Sequence, residues 1–343
     1  MPSMIKTYRE ARKYLEGFIP FIIDHSADPS SNPLDRMAYL LKLLNDPQNK
    51  FPSVVISGTS GKGSTSYLIS HTLTLAGYKT GLTLSPHLEH ITERMQINNI
   101  FLSDKKFINL LNELIPKLET MRQSKYGPAS YYEILLAMAF VLFAKEKVDI
   151  AVVEVGIEGK YDATNLINPL IFVLNNISLD HTQILGNTVY RIAKEATFRI
   201  KNLKHIGKIK PSVITGVIQP SIISLIEKRS RESKATLKQL NKDFNYKVIS
   251  ERKKGVMFDF STQTYKKRFL IALKGTYQAS NAAIALTTVR ELKKFGFQIG
   301  ERFLAKALIT AVFPGRFEVL TFSGSIFILD GAHNRVKIDI TPQ

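Results

Sequence analysis

Short apolar runs rich in Val, Ile and Leu recur along the chain. Between them lie longer stretches in which apolar residues return every three or four positions. The runs predict strands at Ser53–Ser57, Thr80–Thr83, Ile150–Glu154, Leu170–Leu174 and Ser212–Thr215. The longer stretches predict helices at Ser64–Ala76, Lys105–Lys117, Tyr131–Lys145 and Val189–Ile200. Strand, helix, strand in succession predicts an α/β fold, a mostly parallel sheet flanked by helices on both faces. Between Phe244 and Lys274 the pattern shortens to alternating segments, VMFDFS and RFLIALKG, which predict a small antiparallel portion. A helix is expected again at Gln278–Lys294. A strand then opens at Ser325–Asp330, after the turn signals Pro314-Gly315 and Ser323-Gly324. There is no internal repeat and no low-complexity tract.

Thirteen residues follow Asp330 (330 to 343), too few to bury a core behind a strand that opens a domain. Two expectations follow: a C-terminal domain is largely missing, or the last strand adds an edge to the sheet.

Composition narrows the class. With 343 residues, 44% hydrophobic and 22% charged, the chain suits one large or two medium globular domains. No run approaches the roughly 18 apolar residues of a membrane span. The N-terminus is polar and amphipathic, without the apolar stretch of a secretory signal. The absence of cysteine removes disulfides, thiol catalysis and Cys-ligated metals, and a cytoplasmic setting is expected. The net charge of +18 raises nucleic-acid binding. However, the 47 Lys and Arg are spread along the chain, densest in surface-like stretches at 201–210 and 228–242, and no nucleic-acid-binding signature accompanies them. Neither a nucleic-acid nor a membrane partner is expected. A monomer that handles anionic small molecules fits the charge.

The densest chemistry is at 54–65, VVISGTSGKGST. A buried strand feeds a Gly-rich turn at a helix N-terminus, where backbone N–H groups and the helix dipole attract phosphate. Lys62 would reach the outer phosphates, with Ser64 or Thr65 near a Mg²⁺. The strict P-loop spelling fails, because it requires Gly where Ile56 stands and Ser or Thr where Gly63 stands. Further along, Ser85-Pro86-His87 follows a strand, Glu154 ends one, and Asp162, Asn165, Asp180 and His181 sit in loops after strands. Polar groups at the carboxyl ends of parallel strands, beside a phosphate loop, are where open α/β sheets place their sites.

GTSGKGS, SPHLEHITERMQIN, EVG with DATN, LDHTQILGNT, GTYQASNAA, PGRFE and LDGAHN occur in this order from about Tyr14 to Asn334. In this the chain resembles the folylpolyglutamate synthase/dihydrofolate synthase family of the Mur-ligase superfamily. The resemblance implies a P-loop central domain, with an N-terminal/central ATP-binding unit at 1–322 and the start of a truncated, Rossmann-like C-terminal ligase domain at 323–343. It implies an ATP-dependent ligase that activates a folate or dihydropteroate carboxylate as an acyl phosphate and joins it to L-glutamate, with Mg²⁺. By position, Gly58, Thr59, Ser60, Gly61, Lys62, Gly63 and Ser64 would hold the phosphates. Asn281 and Asp330 would contact the nucleotide, and Arg316 its terminal phosphate. Ser85, Glu154 and His181 match metal-coordinating positions, and Ser130, Tyr161 and Asp162 match the pterin site. Lys62, His181 and Arg316 would carry the catalysis. Taken singly, Glu154 reads as a solvated carboxylate, His181 as a loop histidine, Asp162 to Asn165 as an Asx turn and Arg316 as a surface arginine. The order of the motifs favours the site roles.

Four departures from the family pattern stand out. The lysine that becomes carbamylated in the family is Ala196 here. Lys194 lies about 200° away round a helix, and the cationic Arg199 cannot replace an anion. The usual Gly-Gly after EVG is Glu158-Gly159, which adds a carboxylate. His-Gln is Tyr277-Gln278. The C-terminal domain is nearly absent, so this chain is expected to show little or no ligation. Two other readings stay open: a nucleotide-binding module that does not ligate, and a ligase for another carboxylate or peptide.

Overall fold

The computed structural model describes residues 4–19 and 33–332. The chain enters with α1 (Tyr8–Glu16) and α2 (Pro33–Leu43), and then alternates. β1 (Ser53–Ser57) leads to α3 (Lys62–Leu75), β2 (Thr80–Thr83), the short strands β3 (Met95–Ile97) and β4 (Ile100–Phe101), α4 (Asp104–Arg122) and α5 (Tyr131–Lys145). Next come β5 (Ile150–Glu154), β6 (Ile171–Leu174), α6 (Thr182–Leu185), α7 (Val189–Ala196), β7 (Ser212–Thr215), α8 (Pro220–Glu232) and β8 (Thr236–Gln239). The remainder is β9 (Phe244–Arg252), β10 (Gly255–Thr262), β11 (Lys266–Ile271), α9 (Gln278–Glu291), α10 (Glu301–Ile309), β12 (Glu318–Phe322) and β13 (Ser325–Leu329).

Eight strands form one sheet in the order β4-β3-β2-β5-β1-β6-β7-β8. The six from β2 to β8 run parallel, and β3 and β4 close one edge antiparallel. The predicted strands are apolar throughout because both faces are covered. In β1, Val55 packs into a core with α1, α2, α4, α5, α7 and α8, whereas Val54 and Ile56 pack into a second core with α3, α9 and α10. β5 and β6 divide in the same way, Val153 and Phe172 to the first core, Val152 and Val173 to the second.

The antiparallel portion is a separate three-stranded sheet, β11-β10-β9. Its alternation places Val256, Phe258, Phe260 and Phe269 in the second core with the small residues Ala279, Ala282 and Ala283 of α9. The last strand forms where expected, but the edge-strand alternative is not met. β13 joins no edge of the large sheet; it pairs antiparallel with β12 in a hairpin of its own. The expected boundary at 322/323 falls at the turn of this hairpin.

Two helix ends also differ. α7 stops at Ala196, and residues Phe198–Asn202 continue as a tighter 3₁₀ turn. The Thr197 hydroxyl bonds back to the Ala193 carbonyl there (2.5 Å). α9 likewise gives way to a 3₁₀ turn at Leu292–Phe295, closed by Gly296 in the left-handed region. Among the described residues no helix is long and apolar enough to cross a membrane.

Candidate active site

β1 is central, hydrogen-bonded to β5 on one side and β6 on the other; the chain passes from β1 out to β2, returns through β5 and crosses β1 to β6. The loops after β1, β5 and β6 therefore leave the sheet together at its carboxyl edge, the switch point where open α/β sheets bind ligands. A cleft of about 2550 Å³ opens there, lined from the phosphate loop to Ala332.

The loop after β1 is shaped by glycine. Gly58 has φ +127° and Gly61 φ +78°, and a Cβ on Gly61 would stand 2.2 Å from Asn281 Oδ1. Gly61 caps α3, whose first residue is Lys62, so the amides of the first turn face the cleft. The loop is held by two residues that the sequence reading passed over. Asn176 accepts from Ser60 N–H through Oδ1 (2.9 Å) and from Thr59 N–H through its carbonyl (3.0 Å). Asn175 donates to the Thr65 hydroxyl (2.8 Å). The available signal was the Asn-Asn pair at the carboxyl end of a buried strand. Lys62 Nζ donates to the Gly58 carbonyl (2.7 Å). Ser64 is buried and meets Gln278 Nε2 (3.4 Å), and Gln278 in turn accepts from Asn281 (2.9 Å). α9 thus reaches the phosphate loop through Gln278 and Asn281, and Gln278 is a third residue the sequence reading left without a role.

Arg316 comes from the segment after α10. Its guanidinium lies beside Gly63 of the phosphate loop, 3.6 Å from a Cβ built there, and packs over the Phe313 ring (5.6 Å). Asp330 accepts from Phe317 N–H and Ala332 N–H (both 2.7 Å) and from the Tyr277 hydroxyl (3.4 Å). Asn334, the end of the LDGAHN motif, lies outside the described residues.

Ser85 and Glu154 meet: Ser85 N–H donates to Glu154 Oε2 (2.8 Å). Glu154 is buried, which pushes its carboxyl up, while Lys62, the Ser85 amide, Arg316 and Arg94 pull it back down. Three cations from three parts of the chain therefore bear on one carboxylate. His181 lines the same cleft, at the start of α6 with φ 46°, but among the described residues it makes no hydrogen bond or ion pair with Ser85 or Glu154. Among the described residues no group of three or more His, Asp or Glu is gathered as a ready metal site. Oxygen donors at the end of β5 beside a phosphate loop suit a hard cation that keeps several waters.

The three residues expected at the pterin site also line the cleft, each with a local task. Ser130 caps α5 in a capping box with Glu133. Tyr161 is exposed, with Lys160 Nζ 4.5 Å from its ring centre. Asp162 is buried and accepts from the Thr164 amide (2.8 Å), the Thr164 hydroxyl (2.5 Å) and the Ile157 amide (3.2 Å), holding its own loop. Ala196 is buried and shares a small polar cavity with Ser57, Gly159 and Arg199.

Known proteins resemble this chain in sequence and fold. The Mur ligase middle domain matches residues 56–289. The dihydrofolate synthase/folylpolyglutamate synthase of Bacillus subtilis is 32% identical over 98% of this chain and 75% of that protein. The corresponding protein of Mycobacterium tuberculosis is 33% identical over 90% and 64%. Among solved structures, the folylpolyglutamate synthase of Thermotoga maritima superposes with a TM-score of 0.83 at 29% identity, covering 97% of this chain and 72% of that one. The L. casei folylpolyglutamate synthase in complex with AMPPCP and folate gives 0.86 at 27%, covering 98% and 79%. The chain belongs to the Mur ligase family, in its folylpolyglutamate synthase/dihydrofolate synthase branch.

Proposed function

We propose that this chain is an ATP-dependent ligase that joins L-glutamate to the carboxylate of a folate or of dihydropteroate. The observation that carries the reading is the convergence of Lys62, the α3 N-terminus, the Ser85–Glu154 pair and Arg316 on one cleft. A relative whose structure holds both AMPPCP and folate supports it. In this reading residues 1–322 make the ATP-binding unit, acting as a monomer on small molecules.

Roles follow from placement. The amides from Gly61 to Ser64 hold and orient the phosphates, and Lys62 leaves the Gly58 carbonyl to meet them. Arg316, whose guanidinium lies beside Gly63, would meet the terminal phosphate, with Asn281 and Asp330 on the nucleotide side. Mg²⁺, when bound, offsets charge on the phosphates. Ser85, Glu154 and His181 would hold it, the first two already in contact and the third brought in across the cleft. Ser130, Tyr161 and Asp162 face the acceptor.

The test is ADP release that requires both the folate or dihydropteroate and L-glutamate. A second reading, a nucleotide-binding module without ligation, is favoured by Ala196, which offers no carbamate. ATP binding without acceptor-dependent ADP release would establish it.

A further inference from the structure

Two of the departures from the family pattern lie next to each other in the fold. Ala196 brings no charge to the small cavity it shares with Ser57 and Gly159, which has room for about one water (about 10 Å³). Glu158 stands where the family has glycine, and its Oε1 accepts from the Ser57 hydroxyl (3.4 Å) and from the Gly58 amide. A carboxylate has thus been added one residue away from the wall that lost an anionic group.

Glu158 and Glu154 are only 6% and 5% exposed. Neither makes an ion pair among the described residues. For both, Lys62 is the cation with the strongest pull, and its Nζ rests on the Gly58 carbonyl. Arg316 and Arg94 also bear on Glu154, whereas the cation that pulls on Glu158 is Lys62, and Asp162 pushes against it. Buried charge is ordinarily paired or bound to metal, and a hard divalent cation takes carboxylate oxygens. Glu158 lines the cleft, with Oε1 anchored and no hydrogen bond to Oε2 among the described residues.

Resting on the ligase reading above, we propose that Glu158 is the carboxylate that faces the divalent cation of the bound nucleotide, in place of the anionic group a lysine at 196 would carry. The sign of its effect depends on the metal. With the cation present, Glu158 attracts the metal–nucleotide complex. Without it, the same carboxylate repels the phosphates and competes for Lys62.

The experiment is calorimetric titration of ATP with Mg²⁺ and in EDTA, on the parent chain, Glu158→Gln and Glu158→Gly. Gln keeps an oxygen for the Gly58 amide, and Gly is the family's own residue. Circular dichroism verifies folding, and if one variant does not fold the other decides. The gain in affinity on adding Mg²⁺ is expected to fall about tenfold or more in both variants, with affinity in EDTA unchanged or higher. A gain equal to the parent's in the folded variants overturns this inference and leaves the ligase reading standing. A parent that binds no ATP under either condition overturns both.

Discussion

Lys62 occupies the first turn of α3 with its ammonium on the Gly58 carbonyl and two buried carboxylates nearby. In the proposed site its ammonium would make a charge-assisted contact with phosphate. Lys62→Ala is expected to weaken Mg²⁺-ATP binding at least about tenfold, roughly 1.4 kcal/mol. Equal affinities in calorimetric titration would refute its role. A second residue prediction concerns pH. His71 lines the cleft, stacks on Tyr67 and bonds to the Thr310 hydroxyl (2.9 Å). Burial, then the Lys306 charge, holds its pKa below the ordinary histidine value. A depressed pKa means that the unfolded chain binds the proton first. The stability His71 contributes is present above about pH 6.5 and is lost as pH falls through the lower folded value. Thermal midpoints between pH 7.5 and 5 should drop less in His71→Gln than in the parent; parallel curves would exclude His71 as the group.

At the scale of elements, the predicted strands β1, β2, β5 and β7 and the helix α5 match the structure end to end. Their signals are local: apolar runs in the strands, and for α5 a continuous apolar helix. Ser130 belongs to this scale. As the cap of α5 it satisfies the Glu133 amide. Ser130→Ala is expected to lower stability by about 1 kcal/mol in denaturant titration. If Ser130 also contacts the acceptor, KM for the folate substrate will rise while ATP affinity holds; a stability loss with unchanged KM would leave it a cap alone. Other elements were not legible. The charged stretch at 228–242, read as surface, contains the end of α8 and the edge strand β8. An edge strand next to a solvated helix needs few apolar residues, so composition does not reveal it. α7 was expected to run on to Ile200, but a hydroxyl-to-carbonyl bond near its end, invisible in a propensity argument, accompanies its termination.

Across the whole molecule, the cleft draws on residues from the phosphate loop, the ends of β5 and β6, α9 and the segment through Ala332. The lining includes Ile177 and Leu185 of the first core and Leu84 and Leu240 of the second, so Mg²⁺-ATP bound there should stabilise the fold as one unit. At a hundredfold excess over Kd the gain is about 2.7 kcal/mol, read as a rise in thermal midpoint. EDTA should remove most of that rise. A midpoint indifferent to nucleotide would place the ATP site elsewhere or nowhere. The same assembly explains why Arg316 read in isolation as a surface residue. Only the packing of the segment after α10 against the phosphate loop brings its guanidinium beside Gly63.

The sequence by itself determined the phosphate loop, the parallel core, the antiparallel insertion and the order of motifs that leads to the family. Each depends on neighbours in the chain, where period, glycine placement and strand–helix alternation act within a dozen residues. The tertiary structure alone decided which residues share the cleft. Ser85 meets Glu154, Asn175 and Asn176 brace the loop, Gln278 reaches Ser64, and the hairpin β12–β13 stands apart from the large sheet. The contacts around the cleft join residues tens to hundreds of positions apart. They exist because the crossovers bring strand ends to one edge, and no local propensity encodes that distance.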